Sequence, residues 1–225
     1  MSVQVQQLPL FPLDVVLFPG MMLPLHIFEE RYKTMVQRCV RRGTPFGVVL
    51  TRGVVDGREV PYDVGTMATI SDAQRLVGGR YNITTVGVQR FLIRSILYGA
   101  EPYLIGQVEP LEPLDAESGE AHVLSAQLCP LLDRYVELLG TVIDRTFTIS
   151  PYPDDPMTRA FLAAILLQVP NSEKQELLAA QRVPDLLRLE LALLDHENMI
   201  MKFMAGYREH LPHLVEATSG VFSTN

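Results

Sequence analysis

The sequence contains no tryptophan, only two cysteines and only three lysines among its 225 residues. Cys39 and Cys129 belong to no C-x-x-C pair, and two thiols cannot build the multi-bridge scaffold of a small secreted protein. We interpret both as reduced core residues. No lysine lies in a G-x-x-x-x-G-K-[ST] motif, which excludes nucleotide hydrolysis by a phosphate-binding loop of that type.

Signals for export and for membrane insertion are also absent. The first basic residue is Arg31, so the amino terminus lacks the positive flank of a secretory signal. The most apolar stretch, Val15 to Ile27, is interrupted by prolines and a glycine and is shorter than the roughly 20 residues that cross a bilayer. We expect a cytoplasmic protein that does not interact with membranes.

The formal net charge of −7 disfavours nucleic acid as a partner, because an acidic surface repels phosphate backbones. The densest basic cluster is Arg38, Arg41 and Arg42. We expect it at the carboxyl terminus of a helix, where positive charge offsets the negative end of the helix dipole. Surfaces that bind single-stranded RNA usually add exposed aromatic side chains to a basic face, and the aromatic fraction here is only 8%. An RNA-binding barrel is therefore the weakest of the alternatives we consider.

Catalytic and metal-binding motifs are missing as well. No serine lies in a G-x-S-x-G elbow, and His196-Glu197 begins an H-E-x-x-H motif whose second histidine position is occupied by Ile200. We expect no catalytic residue, metal or cofactor. His26 is interpreted as a hydrogen-bonded core histidine rather than a general base. The remaining cluster of potential metal ligands is interrupted by a proline that should break its helix; it comprises Glu209, His210, His213 and Glu216.

The chain changes character near residue 113. Residues 1–113 are almost neutral and read mainly as strands, whereas 114–225 are acidic and helical in pattern. Gly78-Gly79 has the form of a two-residue hairpin connection. The predicted strands are Val15–Phe18, Phe46–Leu50, Val64–Val77, Arg80–Leu97 and Tyr103–Glu109. A helix from Phe28 to Cys39, ended by Gly43, interrupts them.

Many short strands with one inserted helix favour a closed antiparallel barrel, because closure removes exposed strand edges. The second module predicts about four helices. Their signals are an apolar stripe from Leu124 to Val142, Asp155-Pro156 at a helix start, a Ser172/Gln175 capping box, and a last helix from Pro184 to about Tyr207. We predict an α+β protein with a small β-barrel domain at 1–113 and an α-helical bundle domain at 114–225.

The run LPLFPLDVVLFPGMMLPLHIFEERYKTMV, from Leu8 to Val36, resembles the amino-terminal domain of the ATP-dependent protease Lon. Its L-P-L-F-P, F-P-G, P-L-x-I-F-E and R-Y pieces occur in that family's order. Later segments are similar too: Val64-Gly65-Thr66, Gly87-x-x-Arg90-Phe91-x-Ile93, Pro102-Tyr103, and Glu173-Lys174-Gln175-x-Leu177-Leu178 with the helix after Pro184. The resemblance covers about residues 8 to 205. Gly78-Gly79-Arg80 departs from it, since the family more often has Asp before Gly-Arg.

The resemblance implies a PUA-like β-barrel followed by a helical bundle, the part of the protease that engages substrate proteins. Neither the ATPase nor the Ser-Lys proteolytic module is found within the 225 residues. We therefore expect a noncatalytic module that binds unfolded or partly folded polypeptides. A separate protease or ATPase stays open as a partner. The alternative is a small hydrolase or transferase with a pocket at the barrel mouth, which would require a titratable residue with a pKa shifted toward neutrality.

Most residues of the resembling motifs are interpreted as architecture: Phe18, Pro19, Gly20, Ile27, Phe28, Glu29, Arg31, Tyr32, Arg90 and Phe91. We expect Gly20 to permit a turn and Ile27, Phe28 and Tyr32 to close the barrel end. Arg90, with Glu29 and Arg31, is a candidate for an ion pair that sets how the helix docks, a solvated salt bridge being the alternative.

Methionine is the side chain we expect to contact visiting polypeptides, because it repacks easily against varied partners. Met21 and Met22, in the loop before the first helix, are the candidate peptide-binding residues. Met199, Met201 and Met204 on the last helix are a second group. For both groups the alternative is that they fill the core.

Overall fold

Seven strands and five α-helices make up the described part of the chain, residues 5–146 and 148–219 of a computed structural model. In the last helix, side chains are described as far as Gly206. The strands are β1 (Gln6–Leu13), β2 (Met22–Ile27), β3 (Phe46–Val55), β4 (Arg58–Pro61), β5 (Val64–Arg75), β6 (Tyr81–Leu97) and β7 (Leu104–Pro110). The helices are α1 (Glu30–Arg42), α2 (Gly119–Ile143), α3 (Pro156–Leu166), α4 (Asn171–Ala179) and α5 (Val183–Ser219).

The chain divides into two compact units. The first comprises Met1–Leu114 with Gln168–Arg182, and the second comprises Asp115–Leu167 with Val183–Asn225. All seven strands lie in the first unit together with α1 and α4, while α2, α3 and α5 lie in the second. A single division at residue 113 assigned α4 to the helical module, but α4 packs on β5 in the strand unit.

The strand unit is organised around a ring of five strands. Hydrogen-bonded pairing leads from β1 through β7, β6, β5 and β3 and back to β1. The β1–β3 pair is parallel and the other pairs around the ring are antiparallel. β4 extends the sheet from β3, and β2 pairs with β6. The predicted mixture of strands and helices is confirmed.

The first strand starts earlier than the sequence pattern indicated. Val15–Phe18 is not a strand: Val15 lies in a bend, and the buried residues Val16, Leu17 and Phe18 have no regular secondary structure; β1 precedes them. The pattern failed because β1 contains Pro9 and Pro12, which argue against a strand. β1 pairs with β7 along residues 6–10, which include Pro9, and with β3 along residues 10–13, which include Pro12. Each proline therefore has a strand partner on one side only, and its nitrogen, which has no hydrogen to donate, can face the other side.

A tight turn after this segment packs directly on β6. Met21 N donates to Phe18 O at 3.1 Å and Gly20 has a φ of 83°, which confirms the predicted turn. Gly20 N donates to Gly87 O at 2.8 Å, and Gly87 N donates to Met21 O at 3.0 Å. A Cβ on Gly87 would lie 2.3 Å from Phe18 O. Only glycine allows the turn to approach β6 so closely.

Helix α1 follows the predicted pattern except at its start. Its buried face comprises Tyr32, Met35, Val36 and Cys39, and Gly43 ends it in the left-handed conformation with a φ of 62°. Ile27 and Tyr32 are buried in the main core of the strand unit, as expected. Phe28, which we expected to close the ring end with them, precedes the helix and is exposed. The predicted pairing of β5 with β6 is confirmed, but a turn at Val77–Gly79 makes the connection longer than two residues.

Arg90 holds α4 rather than forming the expected ion pair with Glu29 and Arg31. Its buried guanidinium donates through Nη1 to Leu178 O at 2.8 Å and to Ala180 O at 2.6 Å, at the carboxyl end of α4. A cation is favourable there because it satisfies carbonyls that the helix leaves unpaired. Burial lowers the pKa of Arg90 to about 10, and the negative charge of Glu112 partly offsets this decrease.

Gln175 provides a second attachment of α4. It was expected to form a capping box with Ser172, but Pro170 is the residue that precedes α4, and no side chain caps its start. Gln175 is buried, and its Nε2 donates to Val64 O of β5 at 3.0 Å. The polar residue that looked like a local capping signal is therefore a long-range contact.

The helical unit keeps most of its predicted signals. Asp155 Oδ2 accepts from Thr158 N at 2.6 Å, which confirms the cap of α3. The buried face of α2 includes Leu128 and Tyr135 of the predicted stripe and is completed by neighbouring residues. Helix α5 continues to Ser219, beyond the predicted end near Tyr207. The side chains of the histidine and glutamate cluster at 209–216 lie outside the described residues.

One buried carboxyl group stands out in the helical unit. Glu190 on α5 is fully buried, and neither of its oxygens has a hydrogen-bond partner among the described residues. Burial raises the pKa of Glu190 well above its usual value. The acid is thus kept in the neutral form in which burial costs least.

We expect Gly87→Ala to lower the free energy of unfolding by about 1–3 kcal/mol, because the new methyl group would overlap the backbone of the turn. Urea unfolding followed by circular dichroism measures the change. Gly119→Ala is the matched control, since a Cβ there meets nothing within 4 Å. Equal stability of the two variants would contradict the close contact.

We expect Glu190→Leu to raise the free energy of unfolding at neutral pH by about 1–3 kcal/mol, because it removes an unpaired buried polar group. The folded-state pKa lies above the unfolded one, so the native protein binds the extra proton between the two values, and its stability falls as pH rises through that range. Urea unfolding across that range measures the slope, which Glu190→Leu should reduce. An unchanged slope, or the same effect from exposed Glu137→Leu, would contradict the assignment.

Candidate functional site

Strand β2 presents an exposed face with two large apolar side chains near its ends. Its residues alternate between exposed and partly or fully buried, and the exposed set is Met22, Pro24 and His26, which Phe28 continues beyond the strand. Met22 is 68% exposed and Phe28 is 62% exposed. We call these four residues the β2 face. Apolar side chains grouped on one exposed face are typical of surfaces that contact a partner.

The free edge of β2 is the second feature of this region, because β2 pairs only with β6 among the described strands. Met21 O accepts from Gly87 of β6, so by alternation the backbone groups of Leu23 also face β6 and those of Pro24 face the open edge. Proline has no N–H to donate there. Pro24 therefore interrupts the row of backbone groups that another strand would need for pairing.

A cavity of about 270 Å³ opens beside Phe28. Buried Phe11 and Tyr32 line it, with their ring centroids 4.0 Å apart, and His26 and Glu59 contribute polar atoms. This volume matches one or two side chains of a visiting chain. Apolar walls with a few polar groups at the rim are typical of sites that accept apolar side chains.

Arg31 forms the main charged contact in this cavity. Its Nη1 and Nη2 donate to the two carboxylate oxygens of Glu59 at 2.9 and 3.0 Å, and its Nε donates to Glu29 at 2.9 Å. The guanidinium also lies 4.4 Å from the centre of the Tyr32 ring. Burial alone would lower the pKa of Arg31, but these carboxylates raise it. The Arg31–Glu59 pair joins α1 to β4. Of the three residues considered for an ion pair, Arg31 and Glu29 are in contact, and both side chains are partly exposed.

Tyr32 shares this environment. Burial raises the pKa of its phenol, and the nearby charge of Glu59 raises it further. The pKa values of Arg31 and Tyr32, the two groups of the cavity whose pKa is shifted, are thus moved further from neutral pH. The geometry favours binding over proton transfer.

His26 is exposed, which corrects the expectation of a core histidine. Its Nδ1 lies 2.6 Å from Asn82 Oδ1, and its ring is stacked 6.1 Å from Phe28. The correction follows from the strand: His26 occupies an outward position between inward Leu25 and Ile27. An amide rather than a carboxylate is its partner, so it lacks the acid that would orient a general base.

The structure brings some predicted residues together and separates others. Phe28, Glu29 and Arg31 line one cavity together with Ile27 and Tyr32, whereas Met22 lies at the opposite end of β2. Met21 is half-buried and packs against the main core. Phe18 and Phe91 are buried, Phe91 in a second core cluster. Sequence reasoning missed the exposure of Phe28, although residues 22, 24, 26 and 28 follow the two-residue alternation of a strand face.

The helical unit has an apolar surface of its own. Met199 and Met204 are exposed on α5, together with Ile200 and Phe203 between them, whereas Met201 is buried. Two of the three methionines are therefore surface residues and one belongs to the core.

The cysteines and potential metal ligands offer no further site. Cys39 is buried and Cys129 half-buried, both as free thiols, and burial raises the pKa of Cys39. In the part of the chain that the structure describes, no three His, Cys, Asp or Glu side chains are grouped to hold a metal ion. None of the described helices is both long and apolar enough to cross a membrane.

Comparison with known sequences identifies what this chain resembles. Residues 7–196 match the sequence model of the ATP-dependent protease La (LON) substrate-binding domain. Lon protease 2 of Myxococcus xanthus is 28% identical over 88% of this chain, and Lon protease of Anaeromyxobacter dehalogenans is 27% identical over 87%. Both matches cover 24% of the relative, so the chain spans about a quarter of these curated proteins.

Solved structures agree with these matches. A Lon N-terminal domain protein from Xanthomonas campestris is 28% identical with a TM-score of 0.62, covering 83% of this chain and 98% of that one. The N-terminal domain of Mycobacterium avium complex Lon protease has a TM-score of 0.66, covering 84% and 98%, and at 18% identity it supports the fold alone.

We expect Pro24→Val to increase self-association, because it adds an N–H and a strand-forming side chain at the open edge of β2. Sedimentation velocity at matched concentrations measures the increase in mean mass. His26→Val is the matched control, since it adds the same side chain to the same face without adding a backbone donor. If both variants associate equally, side-chain hydrophobicity rather than the open edge is responsible.

Proposed function

The chain belongs to the Lon substrate-binding domain family, and from that premise we propose that it binds unfolded or partly folded polypeptides through the β2 face without catalysing a reaction. The observation that carries the proposal is the exposure of Met22 and Phe28 at the two ends of one strand face, with His26 and Phe28 also lining the cavity. These residues lie within the matched range, 7–196. An apolar surface beside a cavity provides what an unfolded chain needs, a place to bury its own apolar side chains.

Binding of this kind is weak and tolerant of sequence. Burying one large apolar side chain gains about 1.5–3 kcal/mol, from which the cost of association is deducted. Met22 has a flexible thioether that adapts to different neighbours. We therefore expect dissociation constants in roughly the micromolar to millimolar range, with little preference among apolar sequences.

A noncatalytic role agrees with the chemistry of the cavity. The hydrolase or transferase alternative requires a titratable group whose pKa is shifted toward neutral pH. In this cavity the pKa values of Arg31 and Tyr32 are instead shifted further from neutral pH. His26 is hydrogen-bonded to Asn82 and has no acid partner among the described residues. Nothing in this arrangement favours the enzymatic alternative.

We interpret the ring of β1, β7, β6, β5 and β3 as a PUA-like barrel, with α1 as its inserted helix. The parallel β1–β3 pairing, which closes the ring, supports this description.

The cellular setting is likewise proposed. Both cysteines are free thiols, which agrees with a reducing compartment such as the cytoplasm. Because the relatives are proteases about four times as long as the matched range, a separate protease or ATPase that receives the bound polypeptide is a proposed partner.

We expect Met22→Ser combined with Phe28→Ser to weaken binding of an unfolded, alkylated model polypeptide by about tenfold, which corresponds to about 1.4 kcal/mol. Fluorescence anisotropy of the labelled polypeptide measures the dissociation constant. Met21 is left unchanged because it packs against the core.

Val54→Ser combined with Val55→Ser is the control, because these β3 residues are 66% and 61% exposed and lie outside the β2 face. Circular dichroism verifies that both variants are folded. Unchanged binding by the Met22/Phe28 variant, or an equal loss in the control, would contradict the assignment of the site.

A further inference from the structure

Carboxylates surround the β2 face. Glu29 and Glu30 follow Phe28 directly, and Glu59 lines the cavity beside it. Asp72 of β5 is level with Thr84 of β6, which is level with Pro24 of β2. Residues that are level in adjacent strands point to the same face, so Asp72 lies on the Pro24 side, about 10 Å away across two strand spacings.

The nearby cations are already bound to these carboxylates. Arg31 donates to Glu59 and Glu29, and Lys33 donates to Glu30 and to a backbone carbonyl. Two cations are therefore paired with three of the four carboxylates. Asp72 forms no ion pair within the described residues, and Glu30 has a largely exposed side chain.

Arg75, a basic residue of β5, lies on the opposite side of the sheet from Asp72. Arg75 of β5 is level with Tyr81 of β6, which is buried, whereas Asp72 is level with the outward Thr84. Alternation along β5 thus separates Arg75 from Asp72. Among the strand residues that share the Pro24 side at this level, the charged group is a carboxylate.

We propose that the β2 face selects apolar segments that are flanked by lysine or arginine. This inference rests on the proposed function and adds a charge preference to it. The apolar side chains of the segment contact Met22 and Phe28, while its cations approach Asp72, Glu29 and Glu30 in solvent. Contacts of this kind add selectivity and a faster association rate more than raw affinity, and salt weakens them because the screening length is about 10 Å at 0.1 M ionic strength. The overall charge of −7 acts in the same direction.

Two labelled peptides test the preference. They share one apolar core and carry either two lysines or two glutamates at each end. Fluorescence anisotropy at low and high salt measures their dissociation constants. We expect the lysine-flanked peptide to bind about three- to tenfold more tightly at low salt, and the difference to shrink as salt is added.

A pair of charge-matched variants tests whether the carboxylates beside the β2 face cause the charge preference. Glu29→Gln with Asp72→Asn should remove most of the difference between the peptides. Asp63→Asn with Glu101→Gln changes the net charge equally at exposed or partly exposed carboxylates outside the β2 face and should preserve it. An equal loss in both variants would assign the preference to net charge and overturn the inference.

The two peptides also separate this inference from the proposed function. If both bind equally at low salt, the charge preference is overturned while polypeptide binding stands. If neither binds, and the unfolded model polypeptide does not bind either, the proposed function itself fails.

Discussion

The contact between the Phe18–Met21 turn and Gly87 sets the arrangement on which the candidate surface depends. Two backbone hydrogen bonds join the turn to β6 where a side chain on Gly87 would not fit. Because the turn is fixed there, Met22 begins β2 opposite Val86. A shift of one residue in this register would bury the exposed set of β2 and expose its inward leucines. A single glycine on β6 therefore determines which side chains of the neighbouring strand reach solvent.

The strand unit separates the residues that stabilise it from those available to a partner. Leu23, Leu25 and Ile27 pack in the main core with α1, so the core is complete without Met22 and Phe28. Leaving large apolar side chains exposed carries a risk of aggregation. The proline on the open edge and the acidic surroundings both reduce that risk, since one interrupts strand pairing and the other keeps copies of the chain apart. The same features would allow visiting chains to contact side chains without being added to the sheet.

Local signals were read correctly where short-range contacts determine the outcome. Gly43 ends its helix because the left-handed conformation is open to glycine, and Asp155 caps its helix through an amide three residues away. Two of the errors concern residues whose partners are distant in sequence. Gln175 was read as a cap and contacts β5, and Arg90 was expected near α1 and holds the end of α4. No pattern of neighbouring residues contains those partners, so local spacing could not identify them.

The sequence alone determined the mixture of strands and helices, most helix boundaries in the second half, and membership of the family through motifs that keep their order. These properties depend on local periodicity, turn chemistry and shared residues. Only the tertiary structure decided which apolar residues remain exposed, that α4 returns to the strand unit, and which carboxylates lie beside the β2 face. Exposure and charge grouping depend on strand register and on contacts between residues far apart in the chain, and these are fixed only when the sheet is assembled.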